Sequence, residues 1–169
     1  KNKVIDIFKK YTSIEINPEI IGSPKIFNYR NKITLQVEKG KIGFYHVKTN
    51  QLIPIKNCPL AKERTNEIIN LLSEISESKL LTKVKQIIIK EFQEKIMIQI
   101  KVKVEEKDLI SILKDKVSSI YINDKLVYGK EKLEETLESY HYSISPNSFF
   151  QVNKEQTIHL YNQVRKYLE

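Results

Sequence analysis

The chain has 169 residues and a formal net charge of +8, and 40% of its residues are hydrophobic. This length and composition favour a well-packed core in one or two domains and exclude a disordered tail. No run approaches the ~18 apolar residues of a membrane span, and the basic N-terminus lacks the uninterrupted apolar run of a signal peptide. The single cysteine cannot form an internal disulfide. We therefore expect a protein of a reducing cytoplasm.

The basic charge has two explanations that the composition leaves open. Lysine and arginine neutralise phosphates, so a charge of +8 is compatible with nucleic-acid binding. Nearly all the basic residues are lysines, however, and Ala61 is the only alanine. This bias is typical of an AT-rich genome, so the charge alone does not predict a nucleic-acid partner.

Hydrophobic periodicity predicts an α+β fold with a mainly antiparallel sheet flanked by helices. The early elements are a helix at 3–11, strands at 32–38, 42–48 and 52–55, and a helix that starts near Pro59. Strands at 83–92 and 95–104 follow, then a helix at 106–114 and strands at 117–123 and 126–129. The last elements are a helix at 131–139, a strand at 140–145 and a helix that starts at Asn153.

The strand at 95–104 has two faces of different character. One face is apolar, and the other carries Lys95, Met97, Gln99, Lys101 and Lys103. Such a lysine-rich face is typical of a solvated surface that protects a sheet edge. An RNA-facing wall is the alternative.

The stretch 143–156, SISPNSFFQVNKEQ, combines several signals. Pro146-Asn147-Ser148 is typical of a turn that ends a strand. Two phenylalanines and Gln151 follow, and Asn153 with Gln156 three residues later forms the pattern of a capping box at a helix start. A strand, a turn and a helix N-terminus in this order predict a ligand-binding position.

Residues 145–153, SPNSFFQVN, closely resemble the signature of the RumA/TrmA family of RNA (uracil-5-)-methyltransferases. Three further stretches are similar to the family in the same order: YRNK at 29–32, GFY at 43–45 and CPL at 58–60. The resemblance implies S-adenosylmethionine-dependent methylation of C5 of a uridine. The cysteine and the FFQVN wording resemble the 23S rRNA branch more than the tRNA branch. The implied partner is RNA, with no DNA and no membrane, and the protein is expected to be a monomer.

The resemblance also predicts how the chain is organised. Residues 1–12 would be the helix of a cut chain, 13–145 the central α+β domain, and 146–169 the first motif and helix of a Rossmann-like methyltransferase domain. In the family the nucleophilic cysteine and the proton-abstracting glutamate lie downstream of this motif. We therefore expect an internal fragment that is not catalytic by itself. A non-catalytic RNA-binding or interaction domain of the same ancestry is the alternative.

Two side chains of the FFQVN motif are candidate site residues. Phe149 matches the family aromatic that stacks in the substrate pocket, and Phe150 is expected in the core because successive side chains of an extended backbone point in opposite directions. Gln151 matches the family glutamine at the methyl-donor and uracil site, where a carboxamide supplies both a donor and an acceptor. The alternative is that both residues are structural.

The remaining candidates lie earlier in the chain. Cys58 is either a small buried hydrophobe or, as the resemblance implies, the fourth ligand of a [4Fe–4S] cluster whose three other cysteines are absent from this chain. Tyr29, Arg30 and Lys32 match conspicuous residues of the family. Arg30 and Lys32 are candidates for contact with RNA, although a surface role explains an arginine at such a position equally well. The three histidines show no metal-ligand spacing.

Overall fold

The computed structural model describes residues 1–103 and 107–168. Its helices are α1 (Asn2–Tyr11), α2 (Glu63–Glu74), α3 (Lys107–Leu113) and α4 (Lys154–Leu168), with two short 3-10 turns at Ile75–Glu77 and Lys79–Leu81. Its strands are β1 (Lys32–Glu38), β2 (Lys41–Tyr45), β3 (Leu52–Pro54), β4 (Val84–Phe92), β5 (Lys95–Val102), β6 (Ser119–Ile122), β7 (Lys125–Gly129), β8 (Leu133–Leu137) and β9 (Tyr140–Ile144). Val104 and Glu106, the predicted ends of a strand and a helix, lie outside the described residues.

Seven strands form one sheet in the order β3-β2-β1-β4-β5-β6-β7. Neighbours are antiparallel except β5 and β6, which are parallel and are joined through α3. A parallel pair needs such a crossover because a short turn cannot return the chain in the same direction. Strands β8 and β9 form a separate antiparallel hairpin. The predicted α+β class with a mainly antiparallel sheet is confirmed, and β3, which contains Pro54, is an edge strand.

The main core lies on the face of the sheet that carries Ile33, Leu35, Ile87, Ile89 and Ile98. Helices α2 and α3 cover this face with Ile69, Leu72, Leu109 and Leu113, all of which are at most 1% exposed. The alternation in β1 and β5 predicted these inward positions correctly. The core therefore forms because branched side chains of the strands meet the apolar side of two helices.

The opposite face of β5 is covered, and the prediction of a solvated face there is wrong for its central residues. Met97 and Gln99 are 1% and 2% exposed. Met97 packs in a second cluster whose other buried members are Phe92, Tyr121, Leu133 and Ile144. Leu133 and Ile144 come from the β8–β9 hairpin, which turns this side of the sheet into a buried layer.

The predicted helix at 131–139 is also wrong, because these residues contain β8. Leu133, Glu135 and Leu137 are buried and alternate with more exposed residues, which is the period of a strand. The sequence is rich in good helix formers, but pairing with β9 and burial against the sheet override this local preference.

Helix α2 begins at Glu63, four residues after the predicted start at Pro59. Lys62 precedes the helix and makes no side-chain cap. The carboxylate of Glu91 in β4 instead accepts hydrogen bonds from the amide of Thr65 (2.9 Å) and from its hydroxyl (2.7 Å). A buried acidic group from another element therefore caps the first turn of α2, where the helix dipole favours negative charge.

The N-terminal 28 residues pack little against the rest of the chain. Helix α1 forms as predicted, but it has no buried residue, and Val4, Phe8 and Tyr11 of its apolar face are exposed. Residues 12–28 contain no helix or strand. No helix in residues 1–103 and 107–168 is long and apolar enough to cross a membrane.

Candidate functional site

Residues Ser145–Ser148 form a tight turn after β9. The amide of Ser145 donates to Oγ of Ser148 (3.1 Å), the two hydroxyl oxygens lie 2.6 Å apart, and the amide of Ser148 donates to the carbonyl oxygen of Ser145 (3.3 Å). The Asn147 side chain accepts a hydrogen bond from the buried amide of Gln99 (3.0 Å). Short polar side chains stabilise such turns because they satisfy nearby backbone groups. The predicted turn is confirmed.

The buried side chain of Lys90 in β4 holds this turn. Its Nζ donates to the carbonyl oxygens of Ser145 (3.1 Å), Pro146 (2.6 Å) and Ser148 (2.9 Å), and the residue is 3% exposed. Burial, and then the like charge of Lys32, lower the pKa of Lys90 to about 8. The three carbonyl oxygens favour the ammonium form and oppose that shift. All three donors of the ammonium group therefore have an acceptor.

The segment 29–32 runs beside the FFQVN motif. The amide of Asn31 donates to the carbonyl oxygen of Val152 (3.0 Å), and its side-chain Nδ2 donates to the carbonyl oxygen of Gln151 (2.9 Å). Arg30 forms an antiparallel bridge with Asn153. Asn31 is 1% exposed, and its Oδ1 has no partner among the described residues. Asn31 therefore fixes the backbone on the C-terminal side of Phe149.

The same segment also contacts the stretch around Cys58. The amide of Arg30 donates to the carbonyl oxygen of Leu60 (2.8 Å), and Arg30 forms a parallel bridge with Ala61. The Asn66 side chain accepts from the Cys58 amide (2.7 Å) and donates to the carbonyl oxygens of Cys58 (3.0 Å) and Ala61 (3.1 Å). Three of the four family-like stretches thus meet in space.

The fourth stretch, Gly43–Tyr45, lies in β2 between β1 and β3. A Cβ atom at Gly43 would lie 2.0 Å from the carbonyl oxygen of Ile53, so only glycine allows β3 to pair this closely. This motif therefore has a structural explanation in the sheet.

The two phenylalanines of the motif have different surroundings, as expected. The ring of Phe150 packs edge-to-face against Phe92 (centroids 5.3 Å apart) and Tyr142 (5.5 Å). Phe149 is 81% exposed. Exposing a phenylalanine side chain to this extent is unfavourable, so core packing does not explain Phe149.

The side chain of Gln151 is half-buried and lies between two anchored backbone groups. The backbone carbonyl oxygen of Gln151 accepts a hydrogen bond from Nδ2 of Asn31. Two residues later, Oδ1 of Asn153 accepts a hydrogen bond from the amide of Gln156 (3.1 Å) at the start of α4. Its side-chain amide has no hydrogen-bond partner in the described parts of the chain. A carboxamide with a fixed backbone and free polar atoms can bind a ligand with little loss of entropy.

The predicted capping box is confirmed only in its first half. Asn153 caps α4, but Gln156 does not return a bond to Asn153, because its Nε2 donates to the carbonyl oxygen of Ile21 (3.4 Å). Lys154 in the first turn forms an ion pair with the buried carboxylate of Glu135 in β8 (2.8 Å). These contacts attach the start of α4 to the rest of the fold.

The two predicted basic residues lie near the motif but not at the same depth. Arg30 is exposed, and its guanidinium has no partner in the described residues, whereas Lys32 is half-buried opposite Lys90 in the neighbouring strand. Tyr29 is half-buried. An exposed guanidinium group such as that of Arg30 can donate hydrogen bonds to a phosphate.

Cys58 is a buried free thiol. The described residues contain no group of three or more metal-ligating side chains, and the sequence has no second cysteine. Because a [4Fe–4S] cluster needs four thiolates, the residues present do not fit a complete cluster site.

Sequence reasoning missed Lys90, Asn31 and Glu135, which organise the site through buried polar contacts. Lys90 was assigned to a strand without a role, and Glu135 to a helix. The only available signal was a charged residue in an apolar run, as in the IIIKEF stretch 87–92. A charge in such a position is expected to be paired when buried.

No protein-family model matches the chain. It is 33% identical to the tRNA (uracil(54)-C(5))-methyltransferase of Pyrococcus furiosus over 175 residues, which cover 89% of this chain and 43% of that protein. It is 26% identical to an uncharacterized RNA methyltransferase of Clostridium tetani over 205 residues, which cover 100% of this chain and 45% of that protein. The chain therefore spans less than half the length of these relatives.

The fold has a counterpart among solved structures. The crystal structure of the Pyrococcus abyssi tRNA (uracil-54, C5)-methyltransferase in complex with S-adenosyl-L-homocysteine superposes with a TM-score of 0.77 and 29% sequence identity, covering 96% of this chain and 46% of that one. Fold and sequence together show that the chain is similar to parts of known RNA methyltransferases. These findings confirm the resemblance to the RumA/TrmA family of RNA (uracil-5-)-methyltransferases.

Proposed function

We propose that the chain is the central part of an S-adenosylmethionine-dependent RNA (uracil-5-)-methyltransferase, whose product is 5-methyluridine. The observation that carries this proposal is the meeting of the segments 29–32, 58–61 and 145–153, the last of which presents Phe149 at the surface. An exposed aromatic ring on a backbone held by buried contacts offers a surface on which a base can stack.

Phe149 supplies a flat apolar surface for a uracil that has left its stack in folded RNA. Stacking on an aromatic side chain is worth ~1–3 kcal/mol per base, and an enzyme that acts on a base must first expose it. Arg30 and Lys32 neutralise the phosphates that flank the exposed nucleotide. These residues bind and orient the RNA.

Gln151 supplies one polar contact to the methyl donor or to the uracil edge. Its half-buried, unpaired carboxamide fits that role because it can donate and accept at the same time. S-adenosylmethionine would supply the methyl group, and the relative of known structure that binds S-adenosyl-L-homocysteine supports this choice. The Gln151 side chain would hold that group in a fixed orientation relative to Phe149.

The proposed division of the chain follows from these roles. Residues 13–145 form the central domain, and residues 146–169 begin the methyltransferase domain, to which a nucleophilic cysteine and a base from outside this chain belong. The 169 residues alone are then inactive. We place the complete enzyme in the cytoplasm as a monomer.

Two RNA classes are candidates for the substrate. The relatives from Pyrococcus are named tRNA (uracil(54)-C(5))-methyltransferases, which favours a tRNA uridine. The presence of Cys58 and the FFQVN sequence favour a 23S rRNA uridine. Methyl transfer by the complete enzyme to tRNA and to 23S rRNA transcripts, with the target uridine replaced in matched controls, decides between them.

The Gln151→Ala variant of the complete enzyme tests the proposal. Methyl incorporation into RNA should fall at least about 10²-fold, as is typical when a group that orients the reactants is lost. The melting temperature should stay unchanged, because the Gln151 side chain makes no hydrogen bond in the described chain. Near-normal methyl transfer would show that Gln151 is not a functional residue of the site. An inactive wild-type protein whose RNA affinity responds only to lysine changes, with a salt-dependent slope, would instead indicate a non-catalytic RNA-binding domain.

A further inference from the structure

We propose that Lys90 is a positioning residue whose ammonium group shapes the turn 145–148 and thereby sets the placement of Phe149 and Gln151. The inference rests on the proposed function for its catalytic consequence, but its structural part can be tested without activity. Within the described residues, the ammonium group of Lys90 donates hydrogen bonds to backbone carbonyl oxygens of the turn and to neither of these two side chains, so it acts through the backbone.

The first step of the argument is the convergence of backbone carbonyl groups. Within four residues, the carbonyl oxygens of Ser145, Pro146 and Ser148 lie 3.1, 2.6 and 2.9 Å from one nitrogen atom. Carbonyl dipoles that point at one location repel each other unless a cation lies between them. Lys90 provides that cation from another strand, and the residue is only 3% exposed.

The second step is the position of the functional side chains between two anchors. Lys90 fixes the backbone up to Ser148, and Asn31 fixes it from the Gln151 carbonyl onward. Among the residues that the structure describes, Phe149 has no ring partner, unlike Phe150. Its direction therefore depends on the backbone that the two anchors hold, and loss of either anchor should let it move.

The neighbouring residue supplies a matched control. Glu91 is also a buried charged residue of β4, at 4% exposure, but its carboxylate binds Thr65 in α2 and not the turn. Glu91→Gln should destabilise the fold without moving Phe149. Lys90→Met keeps most of the length of the side chain and removes its charge and donors.

The first experiment uses a fluorescent reporter in the 169-residue chain. The chain contains no tryptophan, so Phe149→Trp introduces a single one at the site. In this background Lys90→Met should lower the fluorescence anisotropy of the tryptophan, and Glu91→Gln should leave it unchanged, with folding of each variant checked by circular dichroism. Equal anisotropy in all three proteins, or an equal fall in both variants, would overturn the proposal.

A pH titration of the tryptophan anisotropy in Phe149→Trp tests the role of the Lys90 charge even if Lys90→Met does not fold. A neutral amine has two N–H donors for three carbonyl oxygens, so the anisotropy should fall as Lys90 loses its proton. Lys32 is the charged group that influences this titration. The fall should be absent in Lys90→Arg, because arginine stays charged. A titration that is flat, or that is the same in Lys90→Arg, would contradict the proposal.

The second experiment measures methyl transfer by the complete enzyme. Lys90→Met should lower kcat/KM about 10²-fold, the effect expected from a misplacement of about 1 Å. Lys90→Arg should recover part of the loss, and Glu91→Gln should stay within about twofold of the wild type. An unchanged kcat/KM in Lys90→Met would refute the catalytic part. A wild-type enzyme without any transfer would refute the proposed function, while the anisotropy measurements would still decide the role of Lys90.

Discussion

Phe149 and Phe150 are adjacent in sequence, but we expect opposite effects when each is replaced by alanine. Phe150 packs against the rings of Phe92 and Tyr142, whereas Phe149 is 81% exposed. Phe149→Ala should therefore affect RNA binding and methyl transfer and leave stability unchanged. Phe150→Ala should mainly affect stability.

The magnitudes follow from burial and ring contacts. Truncating a fully buried phenylalanine costs ~3–5 kcal/mol, and each aromatic pair adds ~0.5–1.5 kcal/mol beyond burial. Because Phe150 is only half-buried, we expect a loss of about 2–3 kcal/mol in the free energy of unfolding. For Phe149→Ala we expect a change within about 0.5 kcal/mol. Loss of stacking between the ring and a base should lower kcat/KM for RNA about 5- to 150-fold.

Two assays on the same pair of variants separate these effects. Urea unfolding followed by circular dichroism gives the free energies of unfolding, and incorporation of labelled methyl groups into RNA by the complete enzyme gives kcat/KM. The reasoning fails if Phe149→Ala destabilises the protein as much as Phe150→Ala does. It fails equally if Phe149→Ala methylates RNA at the wild-type rate.

Three further predictions concern the buried charges and the cysteine. Glu91→Ala should lower the free energy of unfolding by about 2–4 kcal/mol, because two hydrogen bonds from Thr65 to a charged acceptor are lost. If urea unfolding shows a decrease of less than about 1 kcal/mol, Glu91 does not cap α2 as described. Burial lowers the pKa of Lys90 in the folded state to about 8 from its ordinary value of 10.5, so the unfolded state binds more protons between these pH values. The stability of the wild type relative to Lys90→Met should therefore rise by up to ~3 kcal/mol as the pH increases from 8 to 10.5, and a constant difference in unfolding free energy would contradict it. Anaerobic reconstitution of the 169-residue chain with iron and sulfide should give no [4Fe–4S] absorption, because Cys58 is its single cysteine; a stable cluster with four irons per chain would be the contrary result.

The sequence pattern was sufficient to predict those elements whose conformation depends mainly on their own residues. The alternation of Ile33, Leu35 and Val37 predicted β1 with its correct bounds, because a strand with one buried face needs an apolar residue at every second position. The turn at 145–148 and the cap at Asn153 were predicted for a similar reason, since short polar side chains bind nearby backbone. The exposed Phe149 and packed Phe150 also follow from extended backbone geometry.

The pattern failed where a distant contact outweighed the local preference. The stretch 131–139 favours a helix by composition, but pairing with Tyr140–Ile144 makes it a strand. The sequence of the outer face of β5 predicts a solvated surface, but in the structure the hairpin of β8 and β9 covers Met97. Helix α2 starts after Pro59 because Glu91, far away in sequence, provides its cap.

Local sequence patterns were therefore sufficient to predict the class of fold, the resemblance to the RumA/TrmA family and the short motif that carries Phe149 and Gln151. How that motif is held follows from long-range contacts of the folded chain. The contacts that hold it join residues 55 to 58 positions apart in the case of Lys90 and 120 positions apart in the case of Asn31. No periodicity encodes such pairings, because they form only when the sheet brings β1 and β4 beside the turn, and burial then requires each charged or polar group to find a partner.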